Sequence, residues 1–248
     1  MPLSPRAPTI RISELDTQRF GVASARVENI KDCELEAITY FCHQQKIQFL
    51  IARCDVSCID VVQKLENDGY RLMDTLLSYE FDFQKRTPAK PATAKGFRIR
   101  ALQPGEEHEI RQIAREIFHN YAHSHYHADP RLNRDQCNEV YPDWAYQCCI
   151  HRHMADRTLV AEAQGKLVGF LSLKDQGEIV LNGVLPAFRG MSIYSNLVSH
   201  ALQILQSVAP RVAVATPLTN LVPRRIWARA GFEPVYAQYT FHKWFSDS

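Results

Sequence analysis

From residue 97 onward the apolar positions of the chain alternate between two periods. Residues 97–102, Phe-Arg-Ile-Arg-Ala-Leu, place an apolar side chain at every second position, as a half-buried strand does. Residues 106–119 carry Ile110, Ile113 and Ile117 at three- and four-residue spacing, the stripe of an amphipathic helix. A polar and aromatic loop, His123-Ser124-His125-Tyr126-His127-Ala128-Asp129-Pro130, precedes a second helix over 134–151. Strands are predicted at 158–163 and 167–173, joined by the tight turn Gln164-Gly165, and again at 178–185. Pro186-Ala187-Phe188-Arg189-Gly190 then leads into a helix through about 206, with Ile193, Leu197, Ala201 and Leu205 on one face. A strand at 212–216, a helix at 223–230, a stop at Gly231 and a last strand at 236–242 complete the pattern. This order predicts an α+β fold: a mixed, mostly antiparallel sheet with one parallel crossing, flanked by helices.

Residues 84–95 break the pattern with two prolines, four cations and no large apolar side chain. They read as an exposed linker, dividing the chain into a smaller α/β segment at 1–84 and a larger one at 96–248. The segments share a weak echo. Residues 61–70, ending in Gly69-Tyr70 and followed by a strand, resemble residues 222–232, ending in Gly231-Phe232 and followed by a strand. The first segment thus reads either as a degenerate copy of the second or as a chance likeness, and it lacks any counterpart of Arg189-Gly190.

Composition narrows the class. With 46% apolar residues, 23% charged residues and a formal net charge of +2, the 248-residue chain can bury a core and shows no concentrated basic surface for nucleic acid. No apolar run is long enough to cross a bilayer, and Met1-Pro2-Leu3-Ser4-Pro5-Arg6 has no signal-peptide core, so a cytoplasmic location is expected. Seven cysteines without framework spacing are expected to be reduced. His119, His123, His125, His127 and Asp129, and separately Cys148, Cys149, His151 and His153, lack the paired spacing of a metal site, so no metal is expected.

The candidate chemistry lies at the junction Arg189-Gly190-Met191-Ser192-Ile193-Tyr194. Unpaired backbone N–H groups at a loop entering a helix favour an anion such as a pyrophosphate. A strand leaving its parallel neighbour at Gly183–Leu185 would offer main-chain groups to an extended amide-bearing arm.

The stretch Val184-Leu185-Pro186-Ala187-Phe188-Arg189-Gly190-Met191-Ser192-Ile193-Tyr194-Ser195-Asn196-Leu197 resembles the acyl-CoA motif of the GNAT superfamily. Residues 220–232, from Asn220 to Phe232, resemble its companion motif. The family pattern at the loop is Arg/Gln-x-x-Gly-x-Gly/Ala; here Ser192 and Tyr194 occupy the two later small positions. The resemblance implies the GNAT fold, acetyl-CoA as co-substrate, and cofactor contacts from Val184, Arg189, Gly190, Met191, Ser192, Ile193 and Tyr194. A narrower likeness, through residues 19–25, 123–144 and the two motifs, is to the dTDP-fucosamine acetyltransferase group, which acetylates the 4-amino group of a nucleotide-linked dideoxy sugar. It implies that Asn220 contacts acetyl-CoA and puts the group's proton-donating Tyr at Trp227, whose indole N–H cannot act as that acid.

Tyr194 is the candidate replacement acid, with a packing role as the alternative. His125 and His127 are candidates to take the acceptor's proton, His127 foremost, though loss of that proton to water would make either dispensable. Tyr126, Asp129 and Arg131 are candidate acceptor contacts, while Tyr141 and Trp144, three apart on a helix, fit core packing as well. The expected reaction is direct attack of a small-molecule amine on the thioester, with backbone N–H near Val184 steadying the oxyanion. Acceptors other than a sugar nucleotide, or a non-catalytic acyl-CoA-binding module, remain open. A homodimer is compatible with the sequence, which sets no oligomeric state.

Overall fold

The structure is a computed structural model describing residues 10–30, 35–92 and 96–245. Residues 1–6, Cys33 and linker positions 93–95 lie outside them. The first half runs β1 (Arg11–Ile12), α1 (Glu14–Phe20), β2 (Ser24–Val27), α2 (Leu35–Gln44), β3 (Phe49–Asp55), α3 (Ile59–Asn67) and β4 (Arg71–Asp82). The second runs β5 (Arg98–Ala101), α4 (Glu107–Ile117), α5 (His125–Ala128), α6 (Arg134–Ile150), β6 (Arg157–Ala163), β7 (Lys166–Lys174), β8 (Glu178–Val184), α7 (Ile193–Leu205), β9 (Arg211–Pro217), α8 (Leu221–Ala230) and β10 (Glu233–Trp244).

Among the described residues ten strands form one sheet in the order β1-β2-β3-β10-β4-β9-β8-β7-β6-β5. It is mixed and mostly antiparallel, with parallel pairs at β2/β3 and β8/β9. A β–α–β–α–β order recurs, as β2 to β4 and as β8 to β10. The final strand of each run pairs into the other: β10 lies between β3 and β4, and β4 lies between β10 and β9. The two segments read from the sequence therefore interleave in one sheet.

Successive β7 residues show the layering, because strand side chains alternate in face. Leu171 joins a core with Leu197, Ala201, Leu205 and Trp227 of α7 and α8. Phe170 joins the opposite core, with Ile110 and Ala114 of α4 and Ala145 of α6. On the amino-terminal side α2 and α3 cover a core of Leu50, Ala52, Cys54 and Phe241, while Phe20, Tyr126, Cys137 and Val140 close over Phe49 and Ile51 from the other face.

Two elements differ from the sequence reading. The loop at 123–130 contains the short helix α5, capped where the Ser124 hydroxyl accepts from Tyr126 N–H at 3.2 Å. Helix α8 starts at Leu221 rather than 223, because Pro223 falls in the first turn, where no N–H is needed. Among the described residues six cysteines are free thiols; Cys42, Cys54, Cys137 and Cys148 are buried.

Gly177 sets where β8 begins. Its φ is +94°, and a Cβ there would lie 2.1 Å from the Arg211 carbonyl oxygen. Its own carbonyl accepts from Ala213 N–H at 2.8 Å, joining β8 to β9. Gly177→Ala combines left-handed strain with a backbone clash and should cost about 3 kcal/mol. Urea unfolding would measure it, and a variant within 0.5 kcal/mol or so of the parent would contradict this account.

Candidate functional site

Strands β8 and β9 pair at only two positions, Glu178 with Ala213 and Ile179 with Val214. Beyond them the neighbours part, while β9 continues along β4 to Pro217 and β8 continues along β7 to Val184. The parting starts earlier than the Gly183–Leu185 expected from sequence, and a bulge accounts for it. Leu173 faces Ile179 and Ser172 faces Leu181, so Val180 is an extra residue that bends β8.

The bulge also resets which side chains face which helix. Asn182 and Val184 come to the α7 side, while Leu181 packs toward α4 and α6. Leu185 N–H donates to Val168 O at 2.9 Å, toward β7. By the alternation of an antiparallel ladder, Val184 turns its N–H and C=O the other way, into the gap. Arg189 Nε reaches that carbonyl at 3.4 Å, folding the Arg189 side chain back across the loop.

The loop closes with a 3-10 turn at Pro186–Phe188, then Gly190 at φ +82° and Ser192 at φ +61°. At Ser192, the N-cap of α7, no side chain caps the helix. The first helix-type bond in this region is Asn196 N–H to Ser192 O at 3.1 Å, so the N–H groups of residues 190–195 have no backbone acceptor. Nothing lies within 4 Å of a Cβ built on Gly190, which leaves the approach to these donors open. An uncapped N-terminus of a thirteen-residue helix beside free strand groups fits a phosphate-bearing, amide-bearing ligand. Ile193 is buried in the core, so only its backbone belongs to this surface; Met191 and Arg189 are exposed.

Tyr194 enters the gap from the first turn of α7. Its hydroxyl donates to Asn182 Oδ1 at 2.7 Å and accepts from Trp227 Nε1 at 3.0 Å. Burial pushes the phenol well above its ordinary value, so it stays protonated across the physiological range. Trp227 is fully buried, packed on Tyr79 and Phe232, and its indole N–H holds the Tyr194 hydroxyl. Across the gap Asn220 Nδ2 donates to Tyr121 Oη at 2.9 Å and to Thr216 Oγ1 at 3.0 Å. Asn182 and Tyr121 escaped the sequence reading. An amide inside the otherwise apolar run Ile179-Val180-Leu181-Asn182-Gly183-Val184-Leu185 was the available signal for the first.

The insert is organised differently from what its sequence suggested. Asp129 is fully buried. Its Oδ2 accepts from His242 Nδ1 at 2.9 Å and Trp244 Nε1 at 2.8 Å, and its Oδ1 accepts from Arg131 N at 3.0 Å and Nε at 3.3 Å. Since the carboxylate can only accept, His242 carries its proton on Nδ1, and its Nε2 accepts from His125 Nδ1 at 2.9 Å. Tyr126 is buried too, donating to Asp16 Oδ1 at 2.9 Å and accepting from Arg26. Expected to reach an acceptor, Tyr126 and Asp129 instead lock the insert onto α1, β2 and β10. Arg131 is partly exposed and stacks 5.0 Å over the Trp244 ring. His127 bonds through Nε2 to Asn138 Oδ1 at 3.0 Å, and its buried Nδ1 has no partner. No hydrogen bond joins His127 to Tyr194 or Asn182.

Among the described residues no group of three or more His, Cys, Asp or Glu side chains is placed to hold a metal, and no helix is long and apolar enough to cross a membrane. A hollow of about 190 Å³ lies at the far end of β9, lined by Glu80, Asp82, Lys85, Arg86, Arg211 and Glu233. Its charges balance one another, and none of its lining residues comes from β8 or the loop before α7.

The profile of the Acetyltransferase (GNAT) family matches residues 108–232, which span the gap, the loop and Trp227. The spore coat polysaccharide biosynthesis protein SpsD of Bacillus subtilis (strain 168) is 30% identical over 152 residues, 60% of this chain. The alignment takes in 51% of that protein, so this chain matches about half of its length. Among solved structures, a GCN5-related N-acetyltransferase from Sphaerobacter thermophilus superposes with a TM-score of 0.65 at 15% identity, over 96% of this chain and 76% of that one. A tandem GNAT protein from the clavulanic acid biosynthesis pathway superposes with a TM-score of 0.63 at 14% identity, over 92% and 77%. At such identities the superpositions speak for the fold alone.

The His125–His242 pair makes stability depend on pH. Burial, reinforced by the nearby His242, Arg53 and Arg26 charges, pushes His125 well below the usual imidazole range. Burial lowers His242 as well, against the upward pull of Asp129. Both rings stay neutral in the fold where the unfolded chain has begun to protonate them. Stability is therefore complete above about pH 6.5 and falls as pH drops below it, approaching about 2 kcal/mol per pH unit. A urea series from pH 7.5 to 5 should show this slope, and His242→Gln should flatten it; an unchanged slope would contradict the assignment.

Proposed function

Because this chain belongs to the Acetyltransferase (GNAT) family, we propose that it moves an acetyl group from acetyl-CoA to the 4-amino group of a nucleotide-linked deoxysugar by direct attack. The observation that carries the reading is the parting of β8 from β9 beside an uncapped helix N-terminus. Loop amides at residues 190–194, with Arg189 beside them, would take the pyrophosphate, and the free edge of β8 around Val184 the pantetheine amides. Asn220, at the end of β9, would complete the far wall of the groove. The name of the Bacillus subtilis relative, a polysaccharide biosynthesis protein, supports a sugar as the acceptor.

In this reading the amine attacks the thioester carbonyl, and Val184 N–H steadies the charge that develops on its oxygen. Tyr194 then supplies a proton to the departing sulfur. Its hydroxyl stands 3.0 Å from Trp227 Nε1, so the phenol that the resemblance expects at 227 is supplied from 194 and held by the indole. Asn182 Oδ1 holds the Tyr194 proton at 2.7 Å before reaction and releases it when the hydroxyl turns to the thiolate. The amine's proton leaves to His127 Nδ1 or directly to water. No thiol takes part. The buried cysteines Cys42, Cys54, Cys137 and Cys148 are pushed up to about 11 or 12 by burial, which disfavours thiolates.

Thiol release from acetyl-CoA, measured with dTDP-4-amino-4,6-dideoxygalactose against amino acids, peptides and simple amines, tests the function directly. Turnover is expected with the amino sugar; release with none of them would overturn the enzyme reading. Tyr194→Phe should lower kcat about 100-fold while acetyl-CoA affinity stays unchanged. Arg189→Glu places an anion at the phosphate loop and should abolish calorimetric acetyl-CoA binding; unchanged affinity would remove that loop from the cofactor site.

A further inference from the structure

On the helix face that carries α1, α4, α5 and α6, three polar side chains stand in register across the middle of the sheet. Arg53 of β3 pairs with Thr240 of β10, and Thr240 pairs with Asp74 of β4. Each holds a buried polar atom without a well-formed hydrogen bond, though the Thr240 hydroxyl approaches the Asp74 carboxylate: Arg53 Nε, Thr240 Oγ1 and Asp74 Oδ1. Such atoms are rare in a folded interior, because each costs its desolvation without return unless something arrives to satisfy it. Three in one row, on neighbouring strands, offer polar partners to a bound water or ligand.

The surroundings have the same character. Arg53 is partly exposed and only loosely engaged, with Glu28 Oε1 3.5 Å from its NH1. Burial raises the Asp74 carboxyl above its ordinary value, while Thr240 and Arg53 pull it down. Asp74 is close enough to Tyr121 and Tyr141 to raise both phenols, which burial alone already shifts upward. Tyr121 in turn bonds to Asn220 and lies within electrostatic reach of Tyr194. Tyr121 thus lies within electrostatic reach of both the Tyr194 hydroxyl and Asp74. Leu218 N–H donates to Thr75 O at 2.7 Å, which ties the residue after β9 to β4 next to Asp74.

We propose that Arg53, Thr240 and Asp74, with Tyr121 and Tyr141 flanking them, form the acceptor subsite, and that it takes a cationic amine bearing neighbouring hydroxyl groups. The Asp74 carboxylate, with Arg53 nearby, receives the ammonium, which gives up a proton before the neutral amine attacks. Thr240 and Arg53 receive hydroxyl oxygens, Arg53 through N–H groups and Thr240 through its O–H. The two phenols bound the site with polar-edged aromatic faces suited to a sugar ring. The inference rests on the acetyltransferase reading, in which the thioester lies by Tyr194, and it draws the charged groups of the acceptor side, Arg53 and Asp74, from the half of the chain that carries no cofactor loop.

Calorimetric titration of the coenzyme A complex with methylammonium, galactosamine and dTDP-4-amino-4,6-dideoxygalactose tests it. Wild-type protein should bind galactosamine saturably and at least about fivefold tighter than methylammonium. Asp74→Asn should weaken galactosamine about tenfold or more, with coenzyme A affinity within about twofold of wild type. Thr240→Val, nearly constant in volume, should cost about fivefold and serves as the readout if Asp74→Asn does not fold. Saturable binding of none of the three amines to wild type, or wild-type affinities in the variants, would overturn the subsite. Failure of coenzyme A itself to bind would instead sink the acetyltransferase reading, and the same amine titrations without coenzyme A would still decide on Asp74.

Discussion

Two residue pairs join β8 to β9, and everything chemical about the fold follows from the absence of a third. A parallel ladder carried to its end would have satisfied the main chain of Val184 and sealed the sheet. The extra residue at Val180 bends β8 away instead, and Gly177 makes the preceding contact so close that the strands separate from a fixed point. What opens is a wedge with free backbone on one wall, the start of α7 at its mouth and Tyr194 inside it. Asn182 and Trp227 then give that hydroxyl one defined geometry, so the gap is shaped by side chains as well as by the parted strands.

Polar groups elsewhere divide by whether they are satisfied. Asp129, His242, His125, Asp16, Arg26 and Tyr126 are closed on one another, and their role is to hold the insert against the sheet. Arg53, Thr240 and Asp74 are adjacent to that closed network, because Thr240 and His242 are two apart on the same strand face, yet each keeps one buried polar atom without a well-formed bond. The contrast lies within a single layer and two strand positions. A fold able to satisfy one set so completely satisfies the other only in part.

Much of the second half was legible because its signals are local. The isoleucine stripe of α4, the Gln164-Gly165 turn, the α7 face and the Gly231 stop each depend on neighbours in sequence, and each element formed where the pattern put it. The loop before α7 could be read for the same reason. The bulges at Val180 and at Met73 could not, since each flips the parity of a strand and hides which residues share a face. Asp74 and Arg53 looked like the polar half of an ordinary alternation, and only the order β3-β10-β4 sets them side by side. Asp129 and Tyr126 misled in the opposite sense: their residue types suggest a ligand, but their partners Asp16, Arg26 and His242 come from remote parts of the chain.

The exchange of β4 and β10 has a bearing on how the chain comes to be folded at all. Until β10 is available, β3 and β4 have no strand to bridge them, and β4 can meet only β9. Everything from α4 to α8 must therefore be synthesised before the amino-terminal half can close. Such long-range pairing slows folding and leaves sheet edges bare meanwhile. Before β10 emerges, a nascent chain of this protein is thus an open, sticky intermediate, and the arrival of that strand, rather than the completion of the amino-terminal half, is the event that permits its final architecture.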